Sequence, residues 1–276
     1  LTYLAPTTLN EALAALSAGA PSVIAGGTDW YPAQGTRPVK RDLLDVTRIE
    51  GLRAITRTDS GWRIGAASTW SDIIRADLPR AFDGLKAAAR EVGSVQIQNA
   101  GTIVGNLCNA SPAADGVPPL LCLDAQVEIG SIFGIRTVPL EEFIMGVRQI
   151  DLAQGELVTA ILIPKTTDTR RSGFVKLGAR KYLVISIAMV AVTCEIENGV
   201  LRKARIAVGA CSPVAQRLHA LEAALEGKSP EAAAPLLQIA EFSQLAPIDD
   251  VRGSGVYRLD VLRALISRAL MEAAYG

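Results

Sequence analysis

With one histidine in 276 residues and four cysteines that form no C-x-x-C pair, the sequence lacks the raw material of most metal sites. Cys108, Cys122, Cys194 and Cys211 are scattered along a chain of ordinary size. They read as free thiols in a reducing compartment, the cytoplasm, rather than as a disulfide framework. An excess of either charge is also missing. There are 28 basic against 28 acidic side chains and no concentrated basic run, so no nucleic-acid partner is expected. No uninterrupted apolar run reaches the ~18 residues of a membrane span. The start, LTYLAPTTLNEAL, has no basic region ahead of an apolar core and does not read as a secretory signal. His219 falls on an amphipathic pattern with no nucleophile elbow, which removes a Ser-His-Asp apparatus. Carboxylates are dispersed along solvated faces, so no general acid–base pair stands out and no catalytic residue is assigned.

What is present is glycine in two special places. Residues 96–119, QIQNAGTIVGNLCNASPAADGVPP, set Gly101 and Gly105 around the β-branched run Thr102, Ile103 and Val104, followed by Asn106 and Asn109. Side chains this small leave main-chain N–H groups uncovered, and consecutive uncovered amides suit an anion such as a phosphate. Ser111-Pro112 then reads as a helix start, with a capping hydroxyl and a first-turn proline, in a helix that ends near Leu123. Upstream, the strand Ser22–Ala25 runs into Gly26-Gly27-Thr28-Asp29-Trp30. No lysine follows the Gly-Thr pair, so this is not the phosphate loop of nucleotide triphosphatases, and the spaced glycines of a Rossmann fingerprint are absent. Trp30 and Cys108 read as packing residues.

The rest of the chain, 49% hydrophobic and 20% charged, has the length for two domains. Thr8 and Glu11 have capping-box spacing ahead of Leu9, Ala12, Leu13 and Leu16, and Gly19 can close that helix. Leu43–Val46 is a strand. Ala54–Thr56 and Trp62–Ala66 form a hairpin through Asp59-Ser60-Gly61. Thr69 and Asp72 cap another helix, residues 79–91 form a longer one, and Ala125–Ser131 pairs with Gly134–Val138. A short helix at Pro139–Phe143 and a strand at Val158–Ile163 follow. The polar run 165–171 marks the main boundary. Beyond it, Asn198-Gly199 is the strongest hairpin signal, pairing Ala191 with Ile206 and the opposite charges of Glu195 and Arg202. The remaining leucines have helical spacing.

Two glycine loops about 75 residues apart, neither carrying a lysine or arginine, suit one shared phosphate-bearing ligand held by main-chain amides. Chemistry in such a protein is carried by a bound cofactor. AGGTDW at 25–30, the stretch 96–121, and GFVKLGARKYLVISIA at 173–188 together resemble the FAD-binding medium subunit of the molybdenum hydroxylase family. That family includes xanthine and carbon monoxide dehydrogenases and bacterial N-heterocycle or aldehyde dehydrogenases. The resemblance covers essentially the whole chain, in order.

It implies an α+β chain. A two-part FAD-binding domain of the vanillyl-alcohol-oxidase/MurB-like (PCMH) type would occupy 1–165, with subdomains of about 1–52 and 53–165. A smaller C-terminal α+β domain at 172–276 would carry an antiparallel sheet and helices. By the same resemblance Ala25, Gly26, Gly27, Thr28 and Asp29 match the first pyrophosphate loop, and Thr102, Ile103, Val104, Gly105 and Asn106 the second. Asp115 matches an acidic FAD contact, and Val158 and Lys176 match further contact positions. Val104 stands where the family usually has glycine. It implies either an ordinary φ, with the side chain in the core, or a shifted or weaker flavin. The implied function is electron transfer within a complex. A large molybdopterin subunit and a small subunit with iron–sulfur clusters of the 2Fe–2S type would feed this chain's FAD, which would reduce NAD, oxygen or a quinone. The implied assembly is a dimer of heterotrimers, a heterohexamer that hydroxylates an N-heterocycle or oxidises an aldehyde. A free-standing flavin oxidase or reductase, and a scaffold subunit without flavin, are the alternatives.

Overall fold

The computed structural model describes residues 1–276. The expected capping box opens the first helix: Thr8 Oγ1 accepts the Glu11 N–H at 3.3 Å, and the Glu11 carboxylate accepts the Thr8 N–H at 3.1 Å. The helix spans Leu9–Ala18, buries Ala12, Leu13 and Leu16, and ends at Gly19. It connects short parallel strands ordered Tyr3–Leu4, Leu43–Asp45, Ser22–Ile24, the middle one bonded to both neighbours. A five-stranded antiparallel sheet follows, ordered Ile55–Thr58, Gly61–Gly65, Leu157–Pro164, Gln126–Ser131, Gly134–Pro139. Its central strand, Leu157–Pro164, is buried almost throughout, as a strand covered on both faces must be.

Between these strands run Trp70–Arg75, a 3-10 turn Arg80–Phe82 continued by Asp83–Glu91, and the short helices Val95–Ala100, Ile103–Asn109, Val117–Cys122 and Leu140–Phe143. The second glycine stretch differs from its sequence reading. Thr102–Gly105 is the capped start of a helix, and Ser111-Pro112 starts none. That next helix begins only at Val117, with prolines in its first turn. Ala110, at φ 44°, closes the earlier helix and turns the chain before Ser111.

Residues 171–276 form a four-stranded antiparallel sheet, ordered Arg171–Leu177, Ala188–Glu197, Val200–Gly209, Gln216–Arg217, with helices His219–Leu225, Pro230–Ile239 and Gly255–Tyr275. Asn198 and Gly199 take left-handed φ values of 52° and 78°, the turn their dipeptide predicts. Glu195 lies opposite Arg202 as expected, but Ala191 faces Ala207, not Ile206. One extra residue enters the strand Val200–Gly209 between Ala204 and Arg202, where Lys203 sits at φ 48°, and this bulge shifts the register by one. The expected charge pair is also redistributed. Buried Glu195 meets Lys203 at 3.3 Å and Arg170 at 3.6 Å, while Arg202 turns to Glu226 at 3.3 Å.

This sheet is covered on both faces. Phe174, Met189, Ala191 and Ala207 belong to the core of the N-terminal part, whereas Val175, Val190, Val192 and Ile206 pack with Leu262, Ile266 and Leu270 of the long last helix. Cys122 and Thr193 bond across the junction: Thr193 Oγ1 donates to the Cys122 carbonyl at 3.0 Å. No helix is long and apolar enough to cross a membrane.

Candidate functional site

The strand Ser22–Ile24 delivers Ala25–Asp29 to a cleft with their main-chain amides uncommitted, although the Gly27 and Asp29 carbonyls accept from Tyr31 and Ala33. No amide of these five residues donates a hydrogen bond within the chain. Consecutive free donors of this kind are the material of an anion receptor. The glycines permit the close approach this needs. A Cβ on Gly26 would fall 1.8 Å from the Ala100 carbonyl oxygen, and Gly27 sits at φ 68°. The two glycine segments therefore touch, and a Cβ on Gly101 would lie 3.2 Å from Thr28 Oγ1.

The second segment is less generous with donors than its glycine and asparagine content suggests. Thr102 caps the helix Ile103–Asn109 by accepting the Gly105 N–H at 3.0 Å. Ile103 N–H donates to the Ser68 carbonyl and Asn106 N–H to the Thr102 carbonyl, both at 3.1 Å. Val104 has ordinary helical φ and is 6% exposed in the core, with one flank on the cleft wall. Its methyl groups do not separate the two segments.

The cleft has two lobes that share Thr28, Asp29, Thr102, Gly105 and Asn109 as a waist. A polar lobe of about 450 Å³ carries Ser94, Asn106, Ser111, Asp115 and Arg148 on its walls. An apolar lobe of about 360 Å³ is lined by Val23, Ala25, Val46, Cys108, Leu157 and Val158. Burial pushes the Cys108 thiol up to about 12, so it is an inert part of that wall. Trp30 also reaches the apolar lobe, stacked edge-on against Tyr31.

Thus Ala25, Gly26, Gly27, Thr28, Asp29, Thr102, Val104, Gly105, Asn106, Asp115 and Val158 all line the cleft, whereas Ile103 is in the core behind it. Lys176 reaches neither lobe. Its Nζ lies 2.7 Å from Asp115 Oδ2 and donates to the Glu91 carbonyl at 3.2 Å. Ser186 Oγ donates to the other Asp115 oxygen at 2.5 Å. Burial raises the Asp115 pKa, and the ammonium of Lys176 opposes that rise. Ser94, Asn109, Ser111, Arg148 and Ser186 are polar residues at the site that sequence reading does not assign as cofactor contacts. Asn109 and Ser111 stand in the glycine-rich stretch and Ser186 in the stretch 173–188, whereas Ser94 and Arg148 are brought in by tertiary structure alone.

Free amides, a hydroxyl at Thr28 and glycines that admit a ligand backbone-close fit a diphosphate, and two lobes on either side of it fit the two halves of a dinucleotide. No cluster of three or more His, Cys, Asp or Glu side chains could hold a metal ion.

Comparison with known proteins agrees with this geometry. Residues 1–166 match the family described as the FAD-binding domain in molybdopterin dehydrogenase, and residues 174–273 match the CO dehydrogenase flavoprotein C-terminal domain. A putative xanthine dehydrogenase FAD-binding subunit of Escherichia coli is 30% identical over 257 residues, covering 91% of this chain and 88% of the relative. The nicotine 6-hydroxylase medium subunit of Paenarthrobacter nicotinovorans is 29% identical, covering 98% of this chain and 96% of the relative. The solved carbon monoxide dehydrogenase of Hydrogenophaga pseudoflava superposes with a TM-score of 0.88 at 30% identity, covering 99% of this chain and 97% of that one.

Proposed function

The chain belongs to the FAD-binding subunits of the molybdopterin dehydrogenase family, and from that premise we propose how its cleft holds the flavin and what the flavin serves. The diphosphate would lie at the waist, against the free amides of Ala25–Asp29 and the capped start of the helix Ile103–Asn109. The flavin ring, whose edge is rich in nitrogen and oxygen, would take the polar lobe, where Asn106, Ser94 and Ser111 offer hydrogen bonds. Adenine would take the apolar lobe beside Val46 and Val158. Asp115, clamped by Lys176 and Ser186, would face the ligand as a fixed acceptor, so Lys176 acts through Asp115 rather than by touching FAD. The observation that carries this reading is the run of five unbonded amides meeting a capped helix in one cleft.

Bound FAD supplies two-electron redox capacity, filled by one-electron donors and emptied to a two-electron acceptor. The chain's own part is to orient the ring, shield it and set its electrostatics. A large molybdopterin subunit and a small iron–sulfur subunit would supply the electrons, in a dimer of heterotrimers, and NAD, oxygen or a quinone would receive them. Relatives named for xanthine and nicotine support an N-heterocycle as substrate of the complex, with an aldehyde as the other class. The four free thiols support a reducing compartment, the cytoplasm.

The test is to purify the chain alone and with its co-expressed partners. The lone chain is expected to show visible flavin absorbance and to oxidise no heterocycle or aldehyde; the complex should do both. Substrate turnover by the lone chain would overturn the assignment to an electron-transfer subunit.

A further inference from the structure

Arg148 is the one lysine, arginine or histidine side chain on the walls of either lobe. It sits at φ 60°, a conformation that L residues rarely adopt, in the turn between the strands Ile144–Gly146 and Gln149–Ile150. Two bonds hold it there. Its own N–H donates to the Ala110 carbonyl at 2.9 Å, and its guanidinium Nη1 donates to the Asn109 carbonyl at 2.9 Å. Both acceptors close the C-terminal end of the helix whose N-terminus is capped by Thr102. That side-chain bond places the guanidinium of this exposed residue beside Asn109, a residue of the waist itself. The Asn109 carbonyl is the one partner its guanidinium has, so most of its fork of N–H donors is unengaged.

The charges around it explain why a cation is needed there. Free amides offer hydrogen bonds but no net charge, and a diphosphate brings about two negative charges into a partly desolvated cleft. Asp29 adds another carboxylate at the waist. Lys176 cannot help, because it is engaged with Asp115 outside the lobe. We propose that Arg148 is a further cofactor-binding residue, whose guanidinium pairs with the diphosphate of the flavin dinucleotide. This rests on the reading of the cleft as an FAD site. The left-handed backbone at Arg148 is then part of the site, because it aims the side chain back toward the waist.

The test uses the full chain stripped of flavin, titrated with FAD, ADP and riboflavin by fluorescence. R148Q should weaken FAD and ADP by about 10- to 100-fold, the range of one charge-assisted contact, and leave riboflavin, which has no phosphate, unchanged. R148K should recover part of the loss, with FAD affinity that falls more steeply with salt. R148G, which suits the left-handed backbone, should lose as much FAD affinity as R148Q while melting no earlier than the unsubstituted chain. Unchanged FAD and ADP affinity in R148Q, or a riboflavin loss equal to the FAD loss, would overturn the assignment; so would full FAD affinity in R148G. If the unsubstituted chain binds no FAD, the cleft reading itself falls. If it binds FAD and R148Q binds it equally well, only the role of Arg148 falls.

Discussion

Gly26 illustrates how much of the site rests on single positions. Its α-carbon faces the Ala100 carbonyl so closely that a methyl group would lie 1.8 Å from the oxygen and 2.3 Å from the carbon. Both are main-chain atoms, so nothing flexible can give way. Gly26→Ala should force the two glycine segments apart, cost about 1–3 kcal/mol or more in thermal or denaturant unfolding, and weaken FAD in a fluorescence titration. A variant that folds and binds like the parent would show that the contact is not needed. The sequence marks this position for close approach to a ligand, a strand ending in Gly-Gly-Thr, but not for the approach to the Ala100 carbonyl that the fold shows. Val104 was legible: a β-branched residue resists φ > 0, and the structure gives it helical φ with the side chain inward. Arg148 was not. A lone arginine in a hairpin turn carries no local pattern, and only the fold brings it to Asn109.

At the scale of elements, the sequence spacing Thr69–Asp72 and Thr8–Glu11 marked helix starts, because capping chemistry is local. The same chemistry at Thr102 is masked in the sequence by glycine and asparagine, which suggest an open loop. Ser111-Pro112 has the chemistry of a helix start, but the preceding helix ends at Asn109 and the chain needs several residues to turn before Val117. Thr102→Ala should remove the acceptor of the Gly105 N–H and cost ~1 kcal/mol of stability, and Thr102→Ser should restore most of it. Chemical denaturation of both variants checks this; equal losses in the two would point to the methyl group rather than the cap. The hairpin at Asn198-Gly199 teaches a related lesson. Turn type and the Glu195–Arg202 register followed from the dipeptide, whereas the Lys203 bulge did not, because a bulge is decided by what the strand must pack against.

For the whole molecule, the joint between its two parts matters most. Asp115 comes from the cleft, whereas Lys176 and Ser186 come from the C-terminal sheet and the segment leading into its second strand. Lys176→Met should strand a buried carboxylate and cost about 3–5 kcal/mol, measured by denaturant unfolding. Adding Asp115→Asn should return part of that loss, and strict additivity of the two changes would argue against a functional pair. Sequence resemblance named both residues as ligand contacts. Only the coordinates show them bonded to each other, since no local pattern links positions so far apart in the chain. The strand Ala188–Glu197 goes further: Met189 and Ala191 face one interior, Val190 and Val192 the other. It is a party wall with a tenant on each side. Damage to either room cracks the plaster in its neighbour, so the cleft and the sheet behind it are kept or lost together.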